Sequence, residues 1–160
     1  MDATDIRILE TLQADAHTTQ AELAREVGLT QSSVAERIHK LEDKGIIKGY
    51  VAKVDAALVG RELTAFIGVS IEHPRFFEDF AAAVEQIDDI LECHRVAGED
   101  SYLLKVKTTH AGALDELLVG RLRVLPGVTR THTTIVLRSV KEETLIRVAS
   151  HAPAWRSRCT

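Results

Sequence analysis

Residues 23–41, Leu23-Ala-Arg-Glu-Val-Gly-Leu-Thr-Gln-Ser-Ser-Val-Ala-Glu-Arg-Ile-His-Lys-Leu41, constrain this chain more than any other stretch. Leu23, Ala24 and Val27 have the i, i+1, i+4 spacing of a buried helix stripe. Gly28 follows, a residue that takes φ > 0 and stops a helix. Thr30 suits an N-cap, because its hydroxyl accepts from the free N–H groups of the next turn. Leu29 and Val34 flank it where a hydrophobic staple needs them. The second helix would bury Val34, Ile38 and Leu41 and leave Gln31, Ser32, Ser33, Glu36, Arg37 and Lys40 outside. Two short helices across a tight turn, the second opening on small polar side chains, spell a helix-turn-helix. Such side chains reach base edges while the helix N-terminus faces a phosphate. The plain alternative is an ordinary αα-corner with a solvated face.

The net charge of −4 argues against nucleic acid until its distribution is considered. Residues 1–30 hold two basic groups against six acidic, whereas residues 31–53 hold five against three. The basic groups begin at the recognition helix and run on through Lys44, Lys48 and Lys53. The patch is modest, so several copies must act together to hold DNA firmly.

In chain order, Asp5 to Leu12 predicts a helix on Ile6, Ile8, Leu9 and Leu12, capped by Thr4 or Asp2. Thr19-Gln-Ala-Glu22 fits a capping box. The recognition helix runs from about Gln31 to Lys44 and stops at Gly45. Ile46 to Val54, broken at Lys48-Gly49, predicts a small hairpin or wing. Lys48 and Lys53 would then lie near the phosphate backbone. Asp55 to Gly60 is a linker with weak helical character.

The hydrophobic period then changes from helix to strand. Leu63, Ala65, Ile67, Val69 and Ile71 alternate with Thr64, Phe66, Gly68, Ser70 and Glu72, the pattern of a half-buried strand. Pro74 opens a helix on Phe76, Phe77, Phe80, Val84 and Ile87. Ile90 to Val96 and Tyr102 to Val106 are strands. His110 to Leu125 is a second amphipathic helix, Pro126-Gly127 a turn, and Val128 to Leu137 a last strand. The order is βαββαβ. The fold class expected is therefore α+β. A winged helix-turn-helix domain (1–54) leads through a linker (55–61) to a ferredoxin-like βαββαβ sensing and dimerisation domain (62–140), then a C-terminal extension (141–160). Helices cover one sheet face, and a second subunit is the economical cover for the other. In the extension, Leu145, Ile146 and Val148 suggest a short helical piece. The last ten residues should be mobile unless Trp155 docks.

Several chemistries are disfavoured. Cys93 and His94 are adjacent on a strand and point to opposite faces, so they form no dyad, and Cys93 is expected in the core. With Cys93 and Cys159 so far apart, free thiols are the default. The histidines show no close ligand spacing, and no glycine-rich phosphate loop occurs. The chain is not expected to be an enzyme or to carry a cofactor or metal. No apolar run is long enough to span a membrane. The acidic start, Met1-Asp-Ala-Thr-Asp5, lacks the features of a signal peptide, which predicts a cytoplasmic location.

Asp2-Ala-Thr-Asp-Ile-Arg-Ile-Leu9, Val27-Gly-Leu-Thr30, Val34-x-x-Arg-Ile-x-x-Leu-Glu42 and Gly45-Ile-Ile-Lys-Gly-Tyr50 resemble the N-terminal signature of the leucine-responsive regulatory protein/AsnC family, the feast/famine regulators. Val96-Ala-Gly-Glu-Asp-Ser-Tyr-Leu-Leu104 and Pro126-Gly-Val-x-Arg-Thr-x-Thr-Thr-Ile135 resemble its C-terminal ligand-sensing domain. The resemblance spans about residues 2–140. It implies a transcription regulator that binds double-stranded DNA and dimerises through its βαββαβ domains, often assembling further into octamers. It also implies a free amino acid or related metabolite as effector. The family pattern after Gly98 is Gly-x-x-Asp-Tyr, and here Ser101 stands in the Asp place with Asp100 one position earlier.

The DNA-facing candidates are Gln31, Ser32, Ser33, Glu36, Arg37, Lys40 and Lys48. The first three open the helix and suit base edges. Arg37 suits a phosphate or base. The effector candidates are Gly98, Glu99, Asp100, Ser101, Tyr102, Thr131, Thr133 and Thr134. Exposed N–H groups of the 98–101 turn would meet a carboxylate, and Glu99 or Asp100 an ammonium. A plain polar turn, with Gly98 at φ > 0, is the alternative. Two other functions remain open: a helix-turn-helix used as a protein contact beside a small-molecule module, and an architectural DNA-binding protein without an effector.

Overall fold

Three capped helices begin the chain, and each cap follows from a side chain at the first turn. The computed structural model describes residues 1–149. Helix α1 spans Ala3–Ala14, with Asp2 and Asp5 in a reciprocal capping box. Helix α2 spans Gln20–Val27, with Thr19 and Glu22 doing the same. It stops at Gly28, whose φ of 68° lets Leu29 N–H return to the Ala24 carbonyl at 3.0 Å. Helix α3 spans Gln31–Asp43 under a Thr30 cap and ends ahead of Gly45, at φ 63°. Ile8, Leu9, Leu23, Ala24, Val34, Ile38 and Leu41 form one buried core, joined at its margin by Leu12, Val27, Ile47 and Val148.

Residues 46–54 hold no paired strands, so the hairpin expected there is not formed as a ladder. The Ile46 and Ile47 N–H groups both turn back to the Leu41 carbonyl, at 2.9 and 3.2 Å. Ile47 packs on the helical core and the Tyr50 hydroxyl donates to Glu42 at 3.0 Å. Ile46, Ile47 and Tyr50 are thus spent on α3 and its core. Residues 56–60 form turns, with the Ala57 N–H donating to the Asp55 carboxylate at 2.9 Å.

The chain divides into two compact units: Met1–Lys53 with the segment from Glu142, and Val54–Lys141. The returning segment is not helical, contrary to the sequence expectation. The Gln13 side-chain amide takes the Ile146 backbone from both sides, accepting its N–H at 2.7 Å and donating to its carbonyl at 2.9 Å. That exchange replaces the bonds a helix would need. The mobility expected of the last ten residues unless Trp155 docks, and the thiol of Cys159, lie outside the described residues.

The second unit is a four-stranded antiparallel sheet in the order β2-β3-β1-β4. Its strands are β1 (Leu63–Ile71), β2 (Ile90–Arg95), β3 (Tyr102–Thr108) and β4 (Val128–Ile135). Between β1 and β2, Pro74–Phe76 forms one 3₁₀ turn into α4 (Phe77–Glu85). Between β3 and β4, α5 (Ala111–Glu116) continues as a π-helix over Leu117–Leu122 rather than as the single α-helix expected. The wider turn brings Leu117 and Leu122, five residues apart, into the core together. Phe80, Val84, Ile87 and Leu114 complete the helix layer over Ala65, Ile67, Val69, Leu104 and Val106. Thr108 is buried beside them.

Cys93 is exposed rather than in the core. Strand β2 is an edge strand, paired on one side only, and its residues from Leu91 to Arg95 are exposed. Partial burial, aided by the charge of Glu85, pushes the Cys93 thiol up from its usual range.

Candidate nucleic-acid interface and effector loop

Helix α3 presents Gln31, Ser32, Glu36, His39 and Lys40 on its exposed side, with Ser33 and Arg37 half-buried. Thr30 organises the helix start. Its hydroxyl oxygen accepts the Ser33 N–H at 3.2 Å and lies 3.1 and 2.8 Å from the hydroxyls of Ser32 and Ser33. Lys40 donates to Glu36 at 2.6 Å, a pairing that holds the Glu36 carboxyl below its ordinary value. Lys48 is exposed beyond the helix. Arg37 is placed differently from a free DNA contact: it reaches Asp2 at 2.8 Å and Asp5 at 2.6 Å. His39, which sequence reasoning passed over, faces solvent and stands 3.5 Å from Asp43. Its position one turn after Ala35 on the polar side was the available signal.

The 98–101 loop joins β2 to β3. Gly98 and Glu99 are exposed, and Gly98 does not adopt positive φ. Ser101 is absorbed by the sheet. Its N–H donates to the Val69 carbonyl at 2.9 Å, and its hydroxyl oxygen accepts the Ile71 N–H at 3.1 Å. Asp100 folds back over β1. It accepts from the Ser70 hydroxyl at 2.9 Å and from Arg130 at 3.4 Å. Its carboxylate covers Gly68 so closely that a Cβ there would overlap it. Arg130 also stands 4.0 Å from Glu99. Strand pairing sets Arg130 opposite Ser70, a register that the sequence alone did not supply.

The remaining effector candidates are not gathered at this loop. Tyr102 is buried on the helix-covered face, between Phe77 and Phe80, and its hydroxyl donates to the Phe77 carbonyl at 3.3 Å. Thr131 and Thr133 pair with Val69 and Ile67 on that same face, and Thr131 accepts from Arg123 at 3.1 Å. Thr134 pairs with Phe66 on the opposite, open face. Period-2 alternation separates Thr134 from Thr131 and Thr133, so the three do not share one sheet face. Among the described residues, no group of three His, Cys, Asp or Glu side chains could hold a metal ion. No described helix is long and apolar enough to cross a membrane.

A capped helix-turn-helix unit joined to a βαββαβ unit with a polar loop at one sheet end defines a class of DNA-binding regulator with an appended sensing domain. Comparison with known proteins narrows this. Residues 1–48 match the winged helix-turn-helix DNA-binding model, and residues 64–146 match the Lrp/AsnC ligand binding domain. The leucine-responsive regulatory protein of Salmonella typhimurium is 37% identical over 144 residues, covering 89% of this chain and 88% of that protein. Its counterpart from Escherichia coli is 36% identical over the same length and shares. A Neisseria meningitidis transcriptional regulator solved as an L-Met complex superposes with a TM-score of 0.85 at 36% identity, covering 90% of this chain and 94% of that one. Escherichia coli AsnC gives 0.85 at 28% identity, covering 91% and 97%. A feast or famine regulatory protein from M. tuberculosis, complexed with L-methionine, gives 0.82 at 38% identity, covering 90% and 98%. The chain belongs to the Lrp/AsnC family of DNA-binding transcriptional regulators.

Proposed function

We propose that this regulator binds double-stranded DNA as a dimer or higher oligomer and responds to a free amino acid, acting by binding rather than by catalysis. The carrying observation is the pairing of two features. One is the exposed polar opening of α3 at Gln31 and Ser32, on a helix whose other side is locked into a core. The other is the 98–101 loop, whose exposed backbone lies beside Arg130, Asp100 and Glu99. Gln31 and Ser32 would read base edges, with Ser33 held in the cap, and Glu36, Lys40 and Lys48 would flank the groove. Arg130 suits the effector's carboxylate and Glu99 its ammonium. Asp100 and Ser101 shape the loop. The similar structures complexed with methionine support an amino acid as the effector class.

The sheet face opposite the helices carries Phe66 and Leu103, each more than a third exposed. A second copy laid on that face would cover them. Two α3 helices related by a twofold axis would then meet successive major grooves about 34 Å apart. An effector would shift the balance between arrangements only by its difference in affinity for them.

Thermal shift against the twenty amino acids tests the effector, because a ligand of the native state raises the melting point. One or two amino acids should raise it, and sizing with and without the hit should change. A flat screen with undiminished DNA binding would favour the architectural alternative. Gly98→Asp adds a carboxylate in open space at the loop. It should abolish the calorimetric response while leaving the oligomer intact, and a normal titration would remove the loop from the site.

A further inference from the structure

Arg37 stands at the centre of a closed network. The Asp2 N–H donates to Asp5 Oδ2 and the Asp5 N–H to Asp2 Oδ1, both at 2.9 Å. This capping box leaves one oxygen on each carboxylate. Arg37 Nη1 takes both, Asp2 Oδ2 at 2.8 Å and Asp5 Oδ1 at 2.6 Å. The two acceptors are thus held in place by backbone N–H groups before the guanidinium arrives. An exposed ion pair gains little when two free side chains must be ordered, but here one side is already ordered. The contact joins the first turn of α1 to the middle of α3, across 32 to 35 residues of sequence.

We infer that Arg37 is a positioning residue for DNA recognition, clamping the recognition helix to the N-cap of α1 rather than touching the duplex. The inference rests on the reading of α3 as the DNA-reading helix. Ile38 and Leu41 fix how deep α3 sits, while the clamp fixes its rotation and tilt at the adjoining polar edge. Base readout tolerates errors of about half an ångström, so loosening the clamp blurs the placement of Gln31 and Ser32. Phosphate attraction is long-ranged and survives such blurring.

The opposing role, a direct phosphate contact, makes predictions of opposite sign. Two carboxylates beside a phosphate-binding arginine repel DNA, so their removal would tighten binding. In a clamp, their removal loosens α3 and weakens specific binding. The probe is a duplex selected from a randomised pool by the full wild-type chain, set against a scrambled duplex of equal composition. Affinities are measured over a salt series for Arg37→Met, Asp5→Asn and their combination, with circular dichroism on each. The clamp predicts about tenfold weaker binding to the selected duplex for either single variant. It also predicts scrambled-duplex affinity within about twofold, an unchanged salt slope, and a double variant no worse than either single. A salt slope reduced by about one in Arg37→Met, or tighter binding by Asp5→Asn, overturns the clamp. Equal losses on both duplexes also overturn it, since that is what general unfolding produces. If Arg37→Met fails to fold, Asp2→Asn takes its place, because asparagine retains the capping ability of aspartate. If the wild-type chain selects no duplex, the reading of α3 falls and the clamp falls with it.

Discussion

Gly68 is the residue on which the loop conformation turns. It lies in the middle of β1, buried, with the Asp100 carboxylate resting where a side chain would stand. Glycine in a strand interior weakens the strand unless another group approaches closely, and Asp100 is that group. Gly68→Ala should therefore cost about 1–3 kcal/mol from overpacking. In an Asp100→Ala background the same change should be close to neutral. Denaturant unfolding of the four chains checks this, and additive costs would show that Asp100 does not occupy the cradle in solution. Ser101, next to Asp100, donates its N–H to the Val69 carbonyl, and its hydroxyl oxygen accepts the Ile71 N–H. The Asp100 carboxylate reaches Ser70 and Arg130.

Helix termini dominate at the next scale, because short helices leave a large share of their N–H groups without internal partners. Thr30→Ala removes the cap of α3 and should destabilise the N-terminal unit by about 1 kcal/mol, read as a lower melting temperature together with weaker duplex binding. The acidic caps give that unit a defined pH response. The Asp5 backbone N–H, and after it Arg37, hold the Asp2 carboxyl below its ordinary 3.8. The Thr19 hydroxyl and N–H hold Glu22 below 4.5. A carboxyl lowered in the folded state stabilises it above the unfolded value, and that contribution fades as pH falls through the lowered one. Unfolding followed by helical signal should thus show a flat stability near neutrality and a decline once the pH drops below about 4.5. Thr19→Ala should shrink the Glu22 share of that decline. A decline that begins well above that pH would place its origin outside these two caps.

For the whole molecule, the open sheet face is the decisive surface. Phe66 and Leu103 sit on it among Glu92, His94, Lys105 and Arg130, and Lys105 and His94 both lie 3.2 Å from Glu92. Leu103→Asp puts a charge there without touching the helix-side core. It should leave the chain folded and shift the species seen by light scattering towards a monomer, with duplex binding weakened through loss of the second reading helix. An unchanged oligomer would move the subunit contact elsewhere. The segment from Glu142 matters at this scale as well. It returns to the N-terminal unit, where Val148 joins the helical core and Lys53 reaches the Glu142 carbonyl at 3.3 Å. Two stretches of chain, not one, therefore link the sensing unit to the DNA-binding unit.

Local patterns along the chain already specified the three N-terminal helices, the cap at Thr30, the buried stripe of Val34, Ile38 and Leu41, and the βαββαβ order. These depend on periodicity and capping, which act over three to five residues and are legible locally. Tertiary structure alone decided the partners of Arg37, the cradle at Gly68, the separation of Thr131 and Thr133 from Thr134, the exposure of Cys93 and the return of the C-terminal segment. Each depends on register or on a contact between residues far apart in sequence. The physical reason is the same in every case: a strand's alternation states that two faces exist, and only pairing with its neighbours states what each face meets.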